Sequence, residues 1–172
     1  RAIEAGQIYG PRLFPSGAVI SQTAGHGDFR APHAPHPTLV GGTPYLESGS
    51  SILADGVDQT LMAARENLKA GATQIKIMGG GGVMSEFDPI HSLQPSPAEI
   101  RAAVQAASDW GTYVLAHAYT SEAIERLVVN GVKCIEHGLL LDDKTARLVA
   151  DKGVVISTQL VIYRTLQDLP GI

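Results

Sequence analysis

From Val57 onward the apolar positions switch between two spacings. Leu61, Ala64, Leu68 and Ala70 recur at helical intervals until Gly71, after which Ile75 and Ile77 flank Lys76 in a short apolar run of the kind a buried strand makes. The exchange then repeats. The pattern predicts a helix from Pro97 to about Asp109, a strand over 113–116, a helix over 121–129, a strand over 132–135, a helix over 142–152 and a strand over 154–157. Gly17–Ser21 predicts one earlier strand, and residues 1–7 read as the last turns of a helix ended at Gly6.

Local signals fix several of these ends. Ser96-Pro97-Ala98-Glu99 places a cap, a first-turn proline and the glutamate of a capping box in register. Asp55 is the expected cap of the helix that begins at Val57. Gly71, Gly111, Gly131 and Gly153 stand where helices should stop, at spacings of 40, 20 and 22 residues. Strand and helix therefore alternate, which predicts a parallel sheet whose strands are apolar on both faces and covered by helices. Two stretches, 23–54 and 79–96, carry no periodicity and predict long loops.

Composition narrows the function. The 172 residues are 44% hydrophobic and 17% charged with a net charge of −4, so a folded domain is expected and a nucleic-acid or anionic-lipid surface is not. A single cysteine, Cys134, leaves no disulfide framework or paired-cysteine zinc site and reads as a small core residue. No apolar run is long enough to span a bilayer. A small molecule or peptide is the expected partner, a homo-oligomer stays open, and cytoplasm and export are equally compatible with a soluble chain that opens on Arg1 as if cut from something longer.

Size alone favours a doubly wound sheet, because a complete (β/α)₈ barrel takes about 250 residues. The positions of the polar residues reverse that preference. In parallel α/β folds chemistry gathers at the C-terminal ends of strands, and consecutive strands here deliver His26, Lys76, His117 and His137 there. Each alone is more often a satisfied core or loop residue, and Lys76 could simply pair with Glu136. Two strand-end histidines beside a strand lysine point instead to a metal site, since neutral imidazole suits zinc and related ions. An ammonium cannot ligate a cation; its carbamate, formed with carbon dioxide, can.

Ile75-Lys76-Ile77 before a run of four glycines, His117 in Leu-Ala-His-Ala-Tyr and His137 in Ile-Glu-His-Gly resemble the amidohydrolase superfamily, in its imidazolonepropionase-like and prolidase-like branch of metal-dependent hydrolases. Ser21 through Asp28 is similar to that branch too. The resemblance implies a single partial (β/α)₈ barrel domain over residues 1–172, holding barrel strands three to seven. It implies that Lys76 is the carboxylated lysine bridging two divalent ions, with zinc expected, that His117 and His137 are metal ligands, and that the ions activate water against a dipeptide or small amide. His26 and Tyr119 would face the substrate, and Arg164 is the cation best placed for its carboxylate. A cyclic amide or imidazolone substrate, or a non-catalytic binding module, stays open. The His-x-His pair and the aspartate of the family pattern are not in this sequence: His33 and His36 sit in a loop, and Asp168 follows the last strand too soon. The 172 residues alone are therefore expected to hydrolyse little.

Overall fold

Caps and glycines cut the chain largely where the sequence pattern places them. The computed structural model describes residues 2–46, 49–83, 85 and 87–167. In chain order these form β1 (Val19–Ser21), β2 (Ser51–Leu53), α1 (Val57–Lys69), β3 (Ile75–Met78), α2 (Pro97–Asp109), β4 (Val114–Thr120), α3 (Ser121–Val129), β5 (Cys134–Leu140), α4 (Asp143–Asp151), β6 (Val155–Ser157) and α5 (Leu160–Gln167). The capping box of α2 is complete: Ser96 Oγ accepts the Glu99 N–H, and Glu99 returns a carboxylate oxygen to the Ser96 N–H at 2.7 Å. Gly71, Gly111, Gly131 and Gly153 all take the left-handed backbone that ends a helix.

The six strands form one parallel sheet in the order β2-β1-β3-β4-β5-β6. In consecutive parallel units of one handedness every crossover helix lies on the same side of the sheet, and the packing bears this out. The row Ile52, Ile20, Ile77, Ala116 and Ile135 runs across five strands and is almost wholly buried against Leu68, Ile100, Ala103, Ile124 and Leu127 of the helices. The opposite face carries Lys76, Leu115 and Cys134 in one row and Met78, His117, Glu136 and Ser157 in the next. Among the described residues no helix core lies over that face, and at its edge Val155 stays 59% exposed. The expectation of helices on both faces is thus corrected. The sheet is a wall with one covered side, which is barrel architecture rather than a doubly wound sandwich.

Four smaller expectations also change. The stretch 23–54 is not wholly loop, because Ser51, Ile52 and Leu53 are buried beside β1 and make β2, a run too short to show a period. Residues 2–7 make a turn closed by Gly6 N–H to Ile3 O, not a helix. Gly56 rather than Asp55 occupies the cap position of α1, since the Asp55 carboxylate is taken by the N–H and hydroxyl of Thr23. Cys134 is not a core residue; it lies half-buried on the open face with its thiol against Glu136. Among the described residues no helix is long and apolar enough to cross a membrane.

Glu99 ties two helix starts together, because its other oxygen accepts the Gly56 N–H ahead of α1. Partial burial raises its pKa, but the hydrogen bonds from Ser96 and Gly56 outweigh that and leave it below the ordinary 4.5. A carboxyl whose folded pKa is lowered stabilises the fold above its unfolded pKa and loses that contribution as pH falls through the folded value. Glu99→Gln should therefore be less stable than the parent chain at pH 7, and the gap should narrow as pH falls below 4.5. Urea unfolding of both proteins at pH 7 and pH 3 checks this; an equal gap at the two values would refute it.

Candidate metal centre

The open face of the sheet gathers the polar residues. Lys76 on β3 and His117 and Glu136 on neighbouring strands share it, because partners in register on a parallel sheet point the same way. Glu136 therefore faces the centre rather than the helices. Lys76 forms no hydrogen bond or ion pair among the described residues, and Glu136 acts on it only at longer range. Burial lowers its pKa and the charge of Glu136 offsets this only in part.

His117 is 2% exposed although it stands on the uncovered side. Its cover is made of other rings and of the glycine loop. The His26 ring stacks on it with centroids 4.1 Å apart, Tyr119 meets it edge-on at 5.1 Å and His137 at 4.8 Å. Its Nε2–H donates to the Gly81 carbonyl at 3.0 Å. A carbonyl can only accept, so Nε2 carries the proton and Nδ1 keeps its lone pair. Burial is the largest influence on His117 and holds its pKa down to about 3, so the imidazole is neutral at pH 7.

The loop can come this close only because it is made of glycine. None of Gly79 to Gly82 has positive φ, so steric room rather than backbone freedom is what they provide. A Cβ on Gly79 would stand 2.4 Å from Leu127 Cδ1, one on Gly81 1.9 Å from the Pro89 carbonyl oxygen, and one on Gly82 1.8 Å from His26 Cε1.

His137 reaches the centre by breaking the pleat. Ala118, its partner in register, belongs to the helix-facing side, so regular alternation would bury His137 there. Instead the register between β4 and β5 slips after that pair, and His137 takes φ 76° with Gly138 at φ 64°. A bulge of this kind re-aims a side chain, and the left-handed backbone at a non-glycine residue costs about 1–3 kcal/mol. The redirected ring stacks on Tyr119 at 4.9 Å, and its Nδ1 lies 2.6 Å from the Tyr163 hydroxyl, which is 2.7 Å from that of Tyr119. Burial lowers the His137 pKa and raises that of Tyr119, so one stays a base and the other a protonated hydroxyl.

His26 arrives from the loop after β1. Its N–H donates to the buried Gln94 Oε1 at 2.9 Å, and its Nδ1 lies 3.1 Å from Asp88 Oδ2 and 2.7 Å from Ser85 Oγ. Asp28, two residues further on, is paired with Arg30 at 2.6 Å. Asp88, Ser85 and Gln94 gave no sequence signal, since they stand in a segment without periodicity. Arg164 is exposed on α5 and touches none of the clustered rings; Tyr163, the residue before it, is the one that does. His91 is exposed, as is Trp110 at the end of α2. Asp168 lies outside the described residues.

The amidohydrolase family model matches residues 1–169. The chain belongs to the amidohydrolase family. It is 35% identical over 170 residues to ochratoxinase of Aspergillus niger, covering 94% of this chain and 35% of that protein. A crystal structure of a prolidase complexed with N-methylphosphonate-L-proline superimposes with a TM-score of 0.80 at 45% identity, covering 90% of this chain and 38% of that one. A Xaa-Pro dipeptidase with bound methionine gives a TM-score of 0.80 at 30% identity, over 97% of this chain and 40% of that one. The chain thus spans well under half the length of these relatives, and within that span its parallel sheet has the amidohydrolase fold.

The donor set of this amidohydrolase suits a divalent ion. His117 Nδ1 and His137 Nε2 make no hydrogen bond among the described residues, while the other nitrogen of each ring is held by Gly81 or Tyr163. One engaged and one open nitrogen per ring is the arrangement metal-binding histidines adopt. Among the described residues no group of three or more His, Cys, Asp or Glu could hold an ion; Lys76 is the further ligand that the family resemblance implies.

Gly82 offers a direct check on the packing. In Gly82→Ala the new methyl would overlap the His26 ring. The variant should keep its helical circular dichroism but lose the stacking of His26 on His117, seen as a shift of the His26 ring protons in NMR. Unchanged ring shifts would show that the loop and the imidazole do not meet as described.

Proposed function

We propose that the chain carries part of the centre of a metal-dependent amidohydrolase that cleaves an amide C–N bond in a dipeptide or small amide. The carrying observation is that two imidazoles kept neutral by burial, with rings 4.8 Å apart, share one side of the sheet with a lysine whose ammonium form burial disfavours. A neutral amine is the form that attacks carbon dioxide. The Lys76 nitrogen forms a bond to the carbon, loses a proton and becomes an N-carboxylate, an anionic oxygen donor. Carboxylated Lys76, His117 and His137 would hold the metal, with zinc expected and two ions bridged by Lys76 in the complete protein.

Metal bound there lowers the pKa of a water and polarises the scissile carbonyl. The chain's own groups set the surroundings of that step. Tyr119, kept protonated by burial, can donate its hydroxyl to an oxygen of the substrate. His26 bounds the same space through its stack on His117. Beside His137 lies an apolar hollow of about 580 Å³ bounded by Leu160, Val161 and Ile162. The names of the relatives, a prolidase, a Xaa-Pro dipeptidase and an ochratoxinase, support amide hydrolysis by a small-molecule enzyme.

Metal analysis tests the reading. Protein prepared with zinc and bicarbonate should retain divalent metal, and Lys76→Ala should retain at least tenfold less while staying folded. An unmodified Lys76, with metal content the same in both proteins, would leave a non-catalytic α/β module as the better description. Turnover of Xaa-Pro dipeptides should be slight for the 172 residues alone, which lack the family's His-x-His pair; rapid turnover would show that these ligands are dispensable.

A further inference from the structure

One peptide group joins the two histidines that stack on each other. The C=O of Gly81 and the N–H of Gly82 belong to the same planar amide. The C=O accepts His117 Nε2–H at 3.0 Å, and the N–H donates to Asp88 Oδ2 at 2.9 Å. The same Asp88 oxygen lies 3.1 Å from His26 Nδ1. Asp88 is 5% exposed, so neither bond competes freely with water. A line of hydrogen bonds therefore runs from His117 through the amide to Asp88 and on to His26.

We infer that Asp88 is a positioning residue, which through the Gly81–Gly82 amide sets which ring nitrogen is protonated in both His26 and His117. The chemistry of the donors requires it. A carboxylate oxygen accepts and cannot donate, so His26 meets it with Nδ1–H and keeps Nε2 as its lone pair. The amide is planar, so its C=O stays aimed at His117 only while its N–H stays aimed at Asp88. Without that anchor the amide can rotate, since glycines on both sides offer little resistance. His117 then loses the acceptor that reserves Nδ1 as the open nitrogen. In the neutral form of His26 the nitrogen left open then accepts a hydrogen bond and does not donate one. The packing agrees, because a side chain at Gly82 would collide with the His26 ring and one at Gly81 with the Pro89 carbonyl. Ser85 Oγ lies closer to His26 Nδ1, at 2.7 Å, and in the other tautomer would donate to it; that tautomer sets an unprotonated Nδ1 lone pair against the Asp88 carboxylate at 3.1 Å, which disfavours it.

The inference rests on the reading of His117 as a metal ligand only for its functional consequence. Its test is therefore built on a measurement that needs no substrate. In ¹⁵N-histidine-labelled protein, long-range ¹H–¹⁵N spectra should show His26 protonated at Nδ1 and His117 at Nε2, with a single tautomer each. Asp88→Ala should convert both to tautomer mixtures. Asp88→Asn, whose carboxamide oxygen can accept both bonds, should restore them. Zinc affinity should fall about 10–100-fold in Asp88→Ala, the range for loss of a residue that orients a ligand, and recover in Asp88→Asn. Wild-type spectra with the opposite tautomer at either histidine would overturn the inference even if Asp88→Ala did not fold. So would a folded Asp88→Ala in which both tautomers persist. If wild-type protein bound no zinc, the hydrolase reading would fall while the tautomers still decided the part played by Asp88.

Discussion

A neutral imidazole sealed at the rim of a half-covered sheet is the constraint on which the rest of this structure turns. His117 has lost nearly all contact with water, and burying a charge there would cost several kcal/mol, so the ring stays uncharged and needs an acceptor for its one proton. Gly81 provides the acceptor, and four successive glycines let the backbone carry it there. The path of the loop, the seat of His26 against Gly82 and the anchoring at Asp88 all follow from that single need.

The covered side of the sheet has a different task. Its row of isoleucines and alanines packs on three helices and holds the strands level, which leaves the other side free to be polar. Lysine, histidine and glutamate project from that side in fixed register, so the spacing of the strands sets their spacing. In an amidohydrolase this division lets stability and chemistry occupy opposite faces of the same residues' backbone.

The alternation of strands and helices was legible because each of α1 to α4 is amphipathic and ends on a glycine. Lys76, His117 and His137 stood out for the same reason, as polar residues where the pattern called for apolar ones. Other features left no such mark. The strand at Ser51–Leu53 is three residues long, below the length at which a period can be seen. One-sided cover was hidden because Leu115, Cys134 and Val155 are as apolar as the residues on the packed face. Asp88 and Gln94 act through folded loop geometry, and a stretch of glycine, proline and serine does not announce which of its polar residues will be buried. Arg164 looked well placed by its distance from the last strand, yet a helix turns its neighbour Tyr163 inward and leaves the arginine outside.

The backbone at His137 carries a consequence for how such a sequence can drift. A left-handed residue inside a strand is where glycine or asparagine sits with least strain, so the replacements that best relieve the fold are the ones that delete the imidazole. Selection for a sturdier protein and selection for its chemistry therefore pull this codon in opposite directions. Under the proposed role of His137 as a ligand, the strained backbone is what aiming its ring at the open face costs the fold.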